Sequence, residues 1–233
     1  MNRFRMAAIA LAALLVAGCG GVRIQPDKGL PTALVKPLPA HAGLVISGEL
    51  RNYSHKETRT GSDWQVDLGP GHVHLLNDMF KASFTSFEVF KDLDAARAAS
   101  GIAAIFEPKI EQFSFATARD TGGRYWAVTI RYRLEVYTPQ GERADSLTLS
   151  GYGSTLAGRS GADALERASL AAMRDAASKF LVQMPRQPMS VALAKGEPVS
   201  PAAPVSAANS SGGIEAVPIE ADDDEPGKPL PII

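Results

Sequence analysis

Between Tyr125 and Tyr137 apolar and polar positions alternate strictly: Trp126, Val128, Ile130, Tyr132, Leu134 and Val136 fall on one side, Ala127, Thr129, Arg131, Arg133 and Glu135 on the other. A period of two is that of a strand with one buried face. Thr138-Pro139-Gln140-Gly141 supplies a turn, and Leu147, Leu149 and Gly151 carry a return strand to about Thr155, so the two runs read as an antiparallel hairpin. Ile102 to Ala116 reads as a further strand, with Ala104, Phe106, Pro108 and Ile110 on one face. Its apolar phase then moves to Phe113 and Phe115, which predicts a bulge near Glu111 and Gln112. Pro108 has no N–H, so this strand should lie at an edge or meet its neighbour only in part. Gly43 to Asn52 alternates as a first strand, and Tyr53 to Gly71 reads as a long polar connection with a short extended piece at Trp64-Gln65-Val66.

Two stretches carry a helical period. From His72 to about Lys91, Val73, Leu76, Phe80, Phe84, Phe87 and Phe90 recur every three or four residues, and four phenylalanines on one stripe read as a core face. From Ser160 to Met184, Leu165, Ala168, Ala172, Ala176 and Phe180 define a broad alanine-rich stripe suited to close packing on a sheet. The order strand, helix, three strands, helix predicts one α+β domain over residues 43–185, a small mixed sheet with two helices packed on one face.

The ends have a different character. Arg3 and Arg5 precede an apolar run, Met6 to Ala17, too short to span a bilayer, which reads as a secretory signal over residues 1–18. Val16-Ala17-Gly18-Cys19 resembles the lipobox of bacterial lipoproteins. That resemblance implies cleavage before Cys19, a diacylglyceryl group on its thiol and acylation of the new amino terminus, so Cys19 is the expected lipidation site. Residues 19–42, broken by Pro26, Pro31, Pro37 and Pro39, read as a flexible tether. Residues 186–233 combine eight prolines, no aromatic residue and the acidic run Asp222-Asp223-Asp224-Glu225, the composition of a disordered tail.

Charge and chemistry narrow the function classes. A formal net charge of -1 without a basic block gives no footprint for nucleic acid. Cys19 is the single cysteine, so an internal disulfide, a cysteine-ligated metal and a cysteine nucleophile are all excluded once it is acylated. Asp120-Thr121-Gly122 matches the aspartic-protease triplet, but that chemistry brings two carboxylates together and only one copy is present; a turn is the better reading. His72 and His74 stand two apart and point to different sides of a helix, while His41 and His55 fall in connections, so no metal site is expected. Gly151-Tyr152-Gly153-Ser154 lacks the spacing of a nucleophile elbow. No catalytic residue and no cofactor is assigned.

The segment Ile105-Phe106-Glu107-Pro108-Lys109-Ile110, the hairpin Tyr125 to Thr155 and the closing helix Ala164 to Leu181 resemble small periplasmic assembly lipoproteins: the YajG-like family, the amino-terminal domain of TolB and the sheet domain of the CsgG curli lipoprotein. The resemblance implies a non-enzymatic accessory or assembly subunit of a larger periplasmic or outer-membrane complex. Gly20 and Gly21 lack the aspartate that, by the same likeness, retains lipoproteins in the inner membrane, so the expected place is the inner leaflet of a Gram-negative outer membrane, facing the periplasm. The expected partners are the membrane, through the lipid, and an envelope protein complex. Tyr125, Arg131, Arg133 and Tyr137 should line one side of a strand as the partner-binding face, since tyrosine and arginine dominate protein interfaces. The alternative is a carrier that binds lipid or glycan between sheet and helices, which requires a cavity.

Overall fold

The computed structural model describes residues 21–26, 35–59, 61–158 and 160–203. The fold is α+β. Its main sheet has five strands: β2 (Leu38–Val45), β5 (Phe84–Phe90), β6 (Ala104–Ala116), β7 (Tyr125–Tyr137) and β8 (Arg143–Leu156), in the order β5-β2-β6-β7-β8. The strands β5, β2 and β6 run parallel, and β6, β7 and β8 form an antiparallel meander. A smaller sheet of β1 (Val22–Ile24), β3 (Ser54–Arg59) and β4 (Ser62–Asp67) has the order β1-β4-β3. The helices are α1 (Gly48–Arg51), α2 (Gly69–Ser83), α3 (Leu93–Arg97), α4 (Gly161–Gln183) and α5 (Met189–Leu193).

The inner face of the main sheet carries the core. Val128, Ile130, Leu134 and Val136 of β7 join Phe106, Phe80 of α2 and Leu165, Met173 and Phe180 of α4, all buried. The two long helices meet where Phe80 stacks on Phe180, with ring centroids 6.1 Å apart. Helix α4 comes so close to β8 that a Cβ on Gly151 would lie 2.0 Å from the Ala172 carbonyl oxygen, and one on Gly153 2.1 Å from that of Ala168. Only glycine permits that approach. The same helix caps the free edge of β8: the Tyr152 N–H donates to Asp175 at 2.8 Å and Lys179 Nζ donates to the Ser150 carbonyl at 2.7 Å. On the opposite face α3 packs in a smaller cluster with Val45, Phe90, Ile102 and Ile105, against which Tyr137 is half-buried.

The hairpin and the alternation of β7 stand as expected, and the ladder between β6 and β7 shifts register between Ile110 and Gln112, where the bulge was anticipated. Pro108 is accommodated because β2 pairs only with Ala104 to Phe106 and leaves β6 beyond it. Several expectations are corrected. The helix expected over 72–91 ends at Ser83, whose hydroxyl donates to the Met79 carbonyl, and Phe84 to Phe90 becomes a strand. Phenylalanines spaced for a helix stripe serve equally well as strand residues, and pairing with β2 decides between them. The first strand lies earlier than 43–52, at Leu38–Val45, and Gly48–Arg51 forms a helical turn capped by Ser47. The polar connection 53–71 is the β3–β4 hairpin, which includes the extended Trp64-Gln65-Val66. Of the tether expected over 19–42, the described residues 21–26 and 38–42 belong to the domain: β1 pairs with β4, Ile24 is buried, and β2 begins at Leu38.

The ordered domain also runs past Pro185. Met189, Leu193 and Val199 are buried, and the N–H groups of Val199 and Ala202 donate to the carbonyls of Ala103 and Arg143, both at 2.9 Å. These few apolar residues suffice because they fill the end of an existing core and need not build their own. Of the expected tail, residues 204–233 lie outside the described residues, as do the signal segment and Cys19.

Candidate functional site

Two places combine chemistry with geometry, one on each face of β7. The outer face carries all four residues expected to bind a partner, since Tyr125, Arg131, Arg133 and Tyr137 alternate with the buried set. The structure divides them. Arg133 forms an ion pair with Glu111 at the bulge and lies 3.9 Å from Glu135, which also pairs with Arg143 at 3.2 Å. The Glu111 carboxylate beside it holds the guanidinium more firmly protonated. Tyr137 donates its hydroxyl to Glu107 at 3.1 Å, and burial, reinforced by the Glu107 charge, pushes its pKa up to about 12. Lys109 pairs with the same Glu107 at 3.1 Å. Arg133 and Tyr137 therefore belong to a network that the sheet satisfies by itself.

Arg131 and Tyr125 differ. Both are exposed, and among the described residues neither makes an ion pair. A third residue joins them: Tyr152 of β8 pairs with Thr129, sits diagonally from Arg131 and is 53% exposed. Thr148, Ser150 and Ser154 complete an open surface of short hydroxyl side chains. Tyr152 falls in the expected return strand but is not singled out there, because the Gly151-Tyr152-Gly153-Ser154 run is weighed only as a nucleophile elbow. The signal was present, since Leu147, Leu149, Gly151 and Gly153 face inward with period two and leave Tyr152 outward.

Behind this face, at the inner side of β7, Tyr132 meets His72 of α2. The His72 Nδ1 lies 2.7 Å from the Leu68 carbonyl, which can only accept, so Nδ1 carries the proton and Nε2 accepts from the Tyr132 hydroxyl at 2.6 Å. Both side chains are buried; burial drives the His72 pKa down to about 4 and that of Tyr132 upward. A cavity of about 30 Å³ adjoins them, lined by Leu50, Leu76, Met79, Leu134 and Leu149 among others. The pair is a neutral, fully satisfied pin between helix and sheet.

The remaining candidates resolve locally. Asp120 accepts from the Thr117 N–H at 2.8 Å and hydroxyl at 2.9 Å and pairs with Arg59 at 3.0 Å. The Thr117 backbone N–H and then Arg59 hold its carboxyl below the usual range, in a turn that Gly122 and Gly123 close with positive φ. His41 bonds Ser86 at 2.8 Å in β2, and His55 bonds Glu57 at 3.1 Å in β3, so both lie in strands where connections were expected. Among the described residues no three His, Cys, Asp or Glu side chains converge as metal ligands, and no helix is long and apolar enough to cross a membrane.

No family model matches the chain, and no curated protein matches it in sequence. Among solved structures it is similar to a DUF330-family protein of Xanthomonas campestris, at 10% identity and a TM-score of 0.40 over 69% of this chain and 89% of that one. It is also similar to a candidate lipoprotein of Caulobacter crescentus, at 12% identity and 0.36 over 53% and 83%. A third likeness is to lipoprotein GNA1162 of Neisseria meningitidis, at 11% identity and 0.30 over 64% and 100%.

Proposed function

We propose that this protein is a lipid-anchored subunit of the bacterial envelope that works by binding rather than by catalysis, held through Cys19 on the periplasmic side of the outer membrane. Its role is that of an accessory or assembly subunit of a larger envelope complex. One observation carries the binding part of this reading: an uncovered sheet face that presents Tyr125, Arg131 and Tyr152 on a domain whose opposite face is closed by helices. Rigid aromatic rings beside an arginine without a carboxylate partner are the groups that contribute most to protein interfaces. A lipid or glycan held between sheet and helices would need room for a chain or a ring, and the cavity there is about 30 Å³; the larger cleft, about 520 Å³, lies over β1, β3 and β4 and not between those layers.

The test has two parts. Palmitate labelling should mark the wild-type protein and not Cys19→Ser; label persisting in the variant removes the anchor. In a pull-down from detergent-solubilised envelopes, Arg131→Ala with Tyr152→Ala should lower recovery of the partner complex at equal expression and unchanged far-UV circular dichroism. Unaltered recovery returns the face to a solvated surface.

A further inference from the structure

The position of β1 fixes how an anchor at Cys19 would hold the domain. A single residue, Gly20, separates Cys19 from Gly21, and the two residue steps between them reach about 7 Å in extended chain. Gly21 is already packed: a Cβ there would come within 3.3 Å of the Asp63 carbonyl oxygen. Val22 pairs with Trp64 and Ile24 with Val66, so β1 runs parallel to β4 and its start faces the tip of the β3–β4 hairpin.

That tip belongs to one end of the molecule. Arg59 beside it pairs with Asp120 in the β6–β7 turn, and Trp64 lies 5.1 Å from Trp126, ring centroid to ring centroid. Tyr125 pairs with Leu156 at the close of β8, and Gly161 at the start of α4 abuts Trp126. The other end of the strands is remote. Thirteen residues of β7 extend roughly 40 Å, and at their far end lie α5, the Val199 and Ala202 contacts and the last described residue, Ala203.

We infer that the end formed by the β3–β4 tip, the β6–β7 turn and the β8–α4 connection rests against the headgroup layer of the leaflet that holds the acyl chains, with the strands standing away from the membrane. This rests on the proposed lipidation of Cys19. The side chains at that end suit the place. Leu156 is 79% exposed and Tyr125 39%, an apolar and an amphipathic group beside each other on the last cross-strand pair. Arg119 and Arg124 in the turn are exposed and without a carboxylate partner among the described residues, while the carboxylate of Asp120 between them is occupied by Arg59 and Thr117. Tyrosine and arginine both place an apolar body in the interface and a polar tip toward water or phosphate. A domain on a leash this short has no freedom to turn that end outward, so the open face of β7 and β8 stands edge-on to the membrane and the chain leaves the domain on the periplasmic side.

The full-length protein tests this, because its single cysteine is taken by the lipid and an introduced one can be labelled. A fluorophore is placed on Leu156→Cys or on Val191→Cys, the latter an exposed position in α5 at the far end. Each protein is reconstituted into phosphatidylethanolamine–phosphatidylglycerol vesicles with or without a headgroup-attached nitroxide quencher. The label at 156 should lose at least half its emission to the quencher and the label at 191 should lose none. Equal quenching at the two positions, in protein that floats with the vesicles, overturns the orientation and leaves the anchor standing. Protein that fails to float and carries an unmodified Cys19 overturns the anchor and the orientation together.

Discussion

On the inner face of β7 and β8 the long helix α4 approaches so closely that two positions of β8 must be glycine, whereas on the outer face the same strands meet solvent through threonine, serine, arginine and tyrosine. The inner face shows how little tolerance a closed layer has. Backbone meets backbone at Gly151 and Gly153, and the buried polar pair of His72 with Tyr132 is satisfied at both ring nitrogens. On the outer face Arg133, Tyr137, Lys109 and Arg143 form an ion network with Glu107, Glu111 and Glu135, while Arg131 makes no ion pair among the described residues. Substitutions should therefore separate cleanly into those that cost stability and those that cost binding.

The largest effect is expected at the closest approach. Gly151→Ala drives a methyl group into the Ala172 carbonyl, and should lower stability by about 3 kcal/mol or more, or prevent folding. The urea midpoint measures it, and a shift under about 0.5 kcal/mol would mean that α4 does not lie on β8 as described.

Next comes the buried histidine, whose effect has a sign fixed by its environment. Above pH 6.5 His72 is neutral in both the folded and the unfolded chain; between 6.5 and about 4 the unfolded chain takes up a proton that the folded one refuses. Stability should thus fall with acidification across that window, by on the order of 3 kcal/mol, and this loss should level off once the folded protein also protonates. His72→Gln can still accept from Tyr132 without titrating, and its melting temperature should vary less with pH over the same range.

A smaller loss is expected where the chain closes the far end of the core. Leu193→Ala empties a fully buried site and should cost about 2 to 3 kcal/mol. A thermal unfolding scan that shows no change would place α5 off the domain. On the outer face, Arg131→Ala and Tyr152→Ala should each change stability by less than about 0.5 kcal/mol, with the pull-down as their only readout. A large loss of stability at either position would blur the contrast between the faces.

Much of this could be read without coordinates. The hairpin of β7 and β8, the bulge at Glu111 and the buried stripe of α4 follow from periodicity, because a strand or helix with one buried face writes its period into the order of its residues. The outward placement of Tyr125, Arg131, Arg133 and Tyr137 follows from the same rule, and so does the absence of any local spacing for a metal or a nucleophile. The expectation of lipidation at Cys19 likewise rests on neighbouring residues alone, and it lies outside the described residues.

What the tertiary structure decided are the questions whose answers lie in residues far apart along the chain. Phe84 to Phe90 fits helix and strand equally, and β2 settles it by offering a parallel partner. Val22 to Ile24 is too short to declare itself a strand, yet β4 holds it and so turns an expected tether into part of the domain. Met189, Leu193 and Val199 are too sparse to build a core and become ordered because one is already there to be finished. Arg133 and Arg131 look alike in the sequence, and only the positions of Glu111 and Glu135 show that one is spent within the sheet while the other makes no ion pair among the described residues.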